Sequence, residues 1–289
     1  MDHILEKPRL WLNDFKSNSV VQGSREFFDS NTLIAKFAFL ILGLIIFVFA
    51  LRFGSSFLTW LFGQRSNPIL IKGMIDSRQM IIVPQNPKTK GSIPIMRSDN
   101  TDTGIEFTWS VWVYVDDFSY KEHEYKHIFH KGNDNVNQMG RNSPNNGPGL
   151  YITPDKNDLM VIMNTFETID EEIYVRNFPI NKWVNIILRV SKQNQLDIYI
   201  NGTLSKRHLL SAVPKQNYGD VYVSMNGGFS GFTSDLKYFK YALGTNKIQS
   251  ILNAGPTLKL ANKDNSAGTD VKTPQYLSNR WYITGADDI

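Results

Sequence analysis

From Phe37 to Leu51 the chain carries no polar side chain. At the helical rise this run covers about 22 Å. Adding Leu33, Ile34, Ala35 and Phe53, with Lys36 and Arg52 reaching outward from the ends, brings it to about 31 Å, the thickness of a hydrocarbon core. Such a segment cannot sit on a water-facing surface, and it has no polar stripe with which to line a soluble core. The sequence therefore predicts a spanning helix over 33–53 with Phe37, Leu44 and Leu51 facing lipid, and Phe57, Trp60 and Phe62 at the interface. A cleaved signal peptide would carry a leader of over thirty residues before its apolar run, which does not fit the usual arrangement. Orientation stays open, because Lys7, Arg9, Lys16, Arg25 and Lys36 on one side nearly balance Arg52, Arg65, Lys72 and Arg78 on the other.

Beyond Pro68 the apolar pattern changes from continuous to alternating. Phe107, Trp109, Val111, Val113 and Val115 fall on one face of a strand, and Thr108, Ser110, Trp112 and Tyr114 on the other. Val184 to Val190, Leu196 to Ile200, Val221 to Met225 and Phe232 to Phe239 read the same way, and Ile69–Ile71, Met80–Val83 and Ile93–Met96 read as shorter strands. Asn201-Gly202 supplies the two positive-φ residues of a type I′ hairpin, so a strand should return along Thr203 to Arg207. One short helix is expected with Thr245 as its cap, Ile248, Ile251 and Leu252 inward, and Gly255-Pro256 as its stop. The divisions that follow are an N-terminal arm 1–32, the helix 33–53, a linker 54–68, an all-β sandwich 69–256 and a tail 257–289. The arm contains Leu10, Trp11, Leu12 and Phe15, which suit either an interface or a partner. The tail presents Tyr276, Trp281 and Tyr282 after a polar stretch, a pattern suited to docking.

The runs Phe107–Val113, Lys126–Gly132, Asn181–Ile187, Leu196–Gly202, Gly231–Phe239 and Ala242-Leu243 resemble, in order, the strands of the laminin-G-like, concanavalin-A-like domain. The resemblance implies a jelly-roll sandwich of two antiparallel sheets preceded by one transmembrane α-helix. It leaves function open, since that superfamily holds lectins, glucanases, adhesion modules and structural domains. A chain with no cysteine, rich in Asn, Ile, Lys and Tyr, with such a domain behind one anchor, is also similar to membrane-anchored virion proteins of large double-stranded DNA viruses of algae and protists. That second resemblance implies assembly in a reducing compartment and a link between an internal membrane and a capsid shell.

Composition removes several chemistries. Without cysteine there are no disulfides, thiol nucleophiles or iron–sulfur clusters. A net charge of +4 from 31 basic and 27 acidic residues, spread along the chain, leaves no footprint for nucleic acid. His123-Glu124-Tyr125-Lys126-His127 matches the pattern of a zinc peptidase, but that pattern works only on a helix. On a strand its histidines stand about 13 Å apart. Glu167, Asp170, Glu171 and Glu172 cluster, yet laminarinase-like relatives carry their first Glu and Asp at i and i+2 on one strand face, whereas here Asp170 stands at i+3 from Glu167, on the opposite face, so the group reads as an acidic loop before the strand Ile173–Val175. Calcium, which relatives in the superfamily bind through loop oxygens, has candidates in Asn133, Asp134 and Asn135, and in a second loop at Asp155, Asn157 and Asp158, without the glycine and glutamate of an EF-hand. Trp112 and Tyr114, joined by Tyr199 and Tyr222, form an aromatic face that either stacks on a sugar or protein partner or is buried by loops such as 133–149. The reading is a non-catalytic, membrane-anchored interaction module with lipid and capsid or other virion proteins as partners. The alternative is a membrane-bound lectin with glycans as ligands and calcium as a possible aid.

Overall fold

The computed structural model describes residues 33–62 and 67–261. The arm 1–32, and the tail with Tyr276, Trp281 and Tyr282, lie outside the described residues. Helix α1 runs Leu33–Phe62, nine residues past the expected end at Phe53, so Phe57 belongs to the helix. Nothing in residues 54–62 breaks it: Gly54 is the weakest helix former there and Pro68 comes later. The stretch Lys36–Leu58 is long and apolar enough to cross a bilayer, and Phe37, Leu44 and Leu51 are exposed along it.

The second unit is a sandwich of two antiparallel sheets. Its strands are β1 (Met74–Asp76), β2 (Ile81–Val83), β3 (Asp99–Thr101), β4 (Gly104–Asp117), β5 (Lys126–Gly132), β6 (Gly149–Ile152) and β7 (Leu159–Met163). There follow β8 (Glu171–Val175), β9 (Trp183–Ser191), β10 (Gln195–Ile200), β11 (Thr203–Leu209), β12 (Asp220–Val223), β13 (Ser230–Phe239) and helix α2 (Thr245–Ala254). One sheet has the order β1-β13-β4-β9-β10-β11 with β3 beside β4, and the other β2-β12-β5-β6-β7-β8.

The alternation in β4 has the expected consequence. Phe107, Trp109, Val111, Val113 and Val115 face the other sheet and form one core with Val184, Ile186, Leu188, Leu196, Phe129, Leu150, Val161 and Val223. Trp109 sits at its centre, with ring centroids 5.2 Å from Phe129 and 5.0 Å from Tyr238. Asn201 and Gly202 adopt φ values of 48° and 74°, and the β10–β11 hairpin turns there.

Several boundaries differ from the sequence reading. Ile93–Met96 is not a strand; Ile93 N–H donates to the Pro84 carbonyl (3.0 Å) and Gln85 holds Ile93 and Ile95 through its amide, closing a loop on itself. Ile69–Ile71 forms only a bridge to β13 at Ile69. Met225 leaves its strand because Ser224 turns left-handed (φ 55°) and starts a 3-10 turn over Met225–Gly227. Glu171 and Glu172 lie within β8 rather than in a loop before it. Gly244, not Thr245, occupies the cap position of α2, with no side-chain cap bond. The sandwich does not stop at Pro256: Thr257 N–H donates to Asp235 (2.9 Å), and Ala261 N–H to the Met74 carbonyl (2.8 Å), continuing the edge beside β1.

Candidate functional site

A sandwich can bind through its outer sheet faces, its edges or its ends. The central strands of both outer faces are covered by the chain itself, while β11 at one edge stays exposed. On the β4 side, Trp112 is only 3% exposed and packs with Met74, Trp183, Tyr114, Phe232 and Leu252 of α2. Tyr199 lies against a neighbouring cluster of Ile187, Phe239, Leu243, Ile248 and Ile251. The amphipathic α2 therefore covers Trp112, and the loop 133–149 has no part in this. Tyr222 is on the opposite sheet, so the four expected aromatics do not form one face; β12 pairs with β5, not β4.

The loop between β5 and β6 covers the other sheet. Tyr151, Met160 and Ile162 point outward into it, and its buried polar groups are satisfied internally. Tyr151 Oη donates to Asn146 Oδ1 (2.9 Å) and accepts from Asn142 N–H (3.2 Å); Asn146 Nδ2 donates to the Asn142 carbonyl (2.9 Å). Beside them His127 Nδ1 accepts from Met225 N–H (2.9 Å), His127 Nε2 lies 2.7 Å from His130 Nδ1, and His130 Nε2 lies 2.9 Å from the Asn133 carbonyl. His130 also stacks on Tyr222 at 5.0 Å. An amide can only donate and a carbonyl only accept, so the series has one solution: both rings neutral, each protonated at Nε2. Burial lowers both pKa values, that of His130 to about 4, and the neighbouring His130 ring further disfavours charge on His127.

The remaining sequence candidates are separated or engaged in part. His123 is exposed in a turn and pairs with Asp155 (2.9 Å), whereas His127 is buried, so the zinc pattern does not assemble. Glu171 pairs with His208 (2.8 Å) and Glu172 with Arg141 (2.5 Å). As neighbours in β8 they point to opposite faces. Asn133 Oδ1 already accepts from Asn145 N–H (3.1 Å) and Asn142 Nδ2 (3.3 Å), and Asn135 N–H is tied to Asn142 Oδ1 (3.1 Å). Asp158 caps Asn177 N–H (2.9 Å), and Asn157 donates to the Phe178 carbonyl (3.1 Å). Among the described residues, no three histidine or acidic side chains come together to hold a metal ion.

Open hollows remain along β8 and β11 (about 650 Å³, beside Glu172, Tyr174 and His208), beside Phe118, Asp155 and Arg176 (about 880 Å³), and at one end of the sandwich, where exposed aromatics gather. A cleft of about 550 Å³ lies between the loops 84–98 and 213–220, floored by Ile105, Phe107, Trp109 and Tyr238 from the core. Phe166 forms its wall and is shared with a second hollow of about 400 Å³ bounded by Pro144, Asn145 and Ile169. Tyr218 on the rim is 95% exposed and Phe166 69%, and Lys215 Nζ sits 5.6 Å from the Phe166 ring. The cleft wall is fixed by close backbone approach at Gly219, where a Cβ would fall within 2.1 Å of the Gly132 carbonyl oxygen. Buried Lys131 ties the same corner, donating to the carbonyls of Asn217 (2.9 Å) and Gly219 (2.6 Å); burial pulls its pKa down to about 8. Phe166, Tyr218, Lys215 and Arg97 were not found from the sequence, because each lies in an irregular loop with no periodicity to mark it. The usable signal was an aromatic alone among polar residues, Tyr218 in Gln216-Asn217-Tyr218-Gly219 and Phe166 in Asn164-Thr165-Phe166-Glu167-Thr168.

Two antiparallel sheets in this strand order, with a covering helix on one outer face, define a jelly-roll sandwich domain. The family model described as the concanavalin A-like lectin/glucanases superfamily, laminin G type 3, matches residues 88–249, over half of the chain, and the protein belongs to this family. No curated protein matches it significantly. Among solved structures it is similar to the botulinum neurotoxin serotype D ligand-binding domain in complex with N-acetylneuraminic acid, with 13% identity over 65% of this chain and 46% of that one, at a TM-score of 0.46. It is also similar to the receptor-binding domain of the botulinum neurotoxin C/D mosaic serotype, with 15% identity over 52% of this chain and 36% of that one, at a TM-score of 0.41. The chain thus spans less than half the length of these domains.

Proposed function

We propose that this protein is a non-catalytic binding module held on a bilayer by α1, which ties a protein partner to the membrane through the open end of its sandwich. Its most concrete form is a minor virion protein joining an internal membrane to a capsid shell. The observation that carries the reading is the exposure of Phe166, Ile169 and Tyr218 around two adjoining hollows, while the central strands of both sheet faces are covered by the chain itself. Exposed aromatics clustered at a pocket are the residue types that dominate protein interfaces. Glycan binding on the Trp112 face would require α2 to leave it. The test is a comparison of the full chain and its Phe166→Ala/Tyr218→Ala variant, both reconstituted in vesicles and offered purified shell proteins and a glycan array. Saturable capture of one shell protein, lost in the variant, supports the reading. Glycan binding with no shell protein captured overturns it in favour of a lectin.

A further inference from the structure

Three amide side chains that border the end cleft, Gln85, Gln216 and Asn217, are already spent. Gln85 Nε2 donates to the carbonyls of Val83 (3.2 Å) and Ile93 (3.1 Å), and its Oε1 accepts from Ile95 N–H (2.8 Å). Gln216 is bonded to Ser98 across the mouth, through both its Nε2 and its Oε1. Asn217 Nδ2 donates to the Lys131 carbonyl (3.0 Å), and its Oδ1 accepts from Gly219 N–H (3.0 Å). A sugar is recognised by planar amides and carboxylates that meet its hydroxyls, and here those amides hold the loops together instead. Lys131 is also consumed by carbonyls, and the Asp220 carboxylate, which caps Gln85 N–H (2.8 Å), offsets its charge.

Two things remain available: apolar surface from half-buried Ile95 and exposed Phe166 and Tyr218, and the cations Arg97 and Lys215. Both cations are exposed, and among the described residues neither takes part in an ion pair. The second hollow shares Phe166, Lys215, Gln216 and Asn217 with the first, so the two recesses adjoin along one wall.

Resting on the proposed function, we infer that the end of the sandwich binds an extended acidic segment of the protein partner, which places apolar side chains in the two hollows beside Phe166 and carboxylates on Arg97 and Lys215. The partner's specificity is then set by alternation of acidic and aromatic or aliphatic residues. Charge complementarity makes the association sensitive to salt.

The probe is a labelled, end-capped peptide of about nine residues alternating Glu and Phe, roughly 30 Å when extended. It is titrated by fluorescence anisotropy into the full chain in nanodiscs, with empty nanodiscs as the blank. The comparison ligands are the Lys/Phe counterpart, glucuronic acid and dodecanoate. The Glu/Phe peptide should bind at least about tenfold more tightly than the Lys/Phe peptide and weaken as salt is raised. Arg97→Glu/Lys215→Glu, which alters only exposed side chains and whose fold is checked by circular dichroism, should reverse that preference. Equal binding of the two peptides, an unchanged preference in the charge-reversed variant, or binding of glucuronic acid or dodecanoate without the peptide would each overturn the inference. Failure here with shell-protein capture still lost in Phe166→Ala/Tyr218→Ala leaves the module reading standing. Capture unaffected by that variant removes the module reading itself.

Discussion

His127 and His130 show how much one pair of side chains can commit a fold to a protonation state. The chain of donors from Met225 through His127 and His130 to the Asn133 carbonyl has no acceptor for a further proton. Charging either ring sets two hydrogens against each other at the Met225 or the His130 contact. Other groups around the pair offer little relief: Tyr151 and Tyr222 are neutral rings, and Asp134 is the nearby carboxylate that acts on His130. In the unfolded chain both imidazoles titrate near pH 6.5, whereas in the folded state His130 holds out to about 4 and His127 is likewise depressed. The unfolded state therefore binds more protons over this interval. Stability contributed by the pair is complete above about pH 6.5 and is lost as pH falls toward 4, at up to about 1.4 kcal/mol per pH unit for each histidine. Urea unfolding midpoints measured from pH 7 to pH 4 should fall, and a His127→Gln/His130→Gln variant should show a shallower fall. An equal pH slope in the two proteins would contradict the neutral pair. Residue spacing alone did not disclose this, since a zinc pattern and a buried pair involve the same His127 and differ only in which neighbour the ring meets.

At the level of elements, local signals succeeded where the chain's own chemistry decides. Asn201-Gly202 predicted its turn because few residues tolerate left-handed backbone, and the hairpin forms there. Tertiary packing then adds a demand that local rules do not contain. A Cβ on Gly202 would meet Leu252 Cδ1 of α2 at 2.1 Å, in addition to the cost of φ 74°. Gly202→Ala should cost about 1–2 kcal/mol. A Gly202→Ala/Leu252→Ala double variant should recover the contact part of that cost relative to Leu252→Ala alone. Thermal melts of the four proteins give the coupling, and strict additivity would exclude the contact. Loops behaved differently. Ile93–Met96 has the composition of a strand, yet Gln85 offers its backbone side-chain partners and no neighbouring strand competes for them. The end cleft is built from such segments, so its residues left no periodic trace.

On the scale of the whole molecule, a long apolar helix and a β-sandwich divide the chain into two units. If α1 spans a bilayer as proposed, Ile45→Asp near its middle should cost insertion about 2.5–3.5 kcal/mol. The wild-type chain should resist carbonate extraction and the variant should be partly released; release of both would refute the anchor. The apolar helix, the strands β4, β9 and β10, the core face of Trp109 and the hairpin at Asn201-Gly202 were all determined by the sequence alone. Each depends on a residue and neighbours a few positions away, through helical rise, strand alternation or backbone tolerance. Tertiary structure alone decided that α2 covers Trp112, that Tyr222 stands on the opposite sheet, that His127 faces His130 rather than His123, and that Phe166, Lys215, Arg97 and Tyr218 meet around one cleft. These depend on which strands become neighbours and on what each outer face finds to cover it. Alternation tells which side chains share a face of one strand, but not what lies across from them.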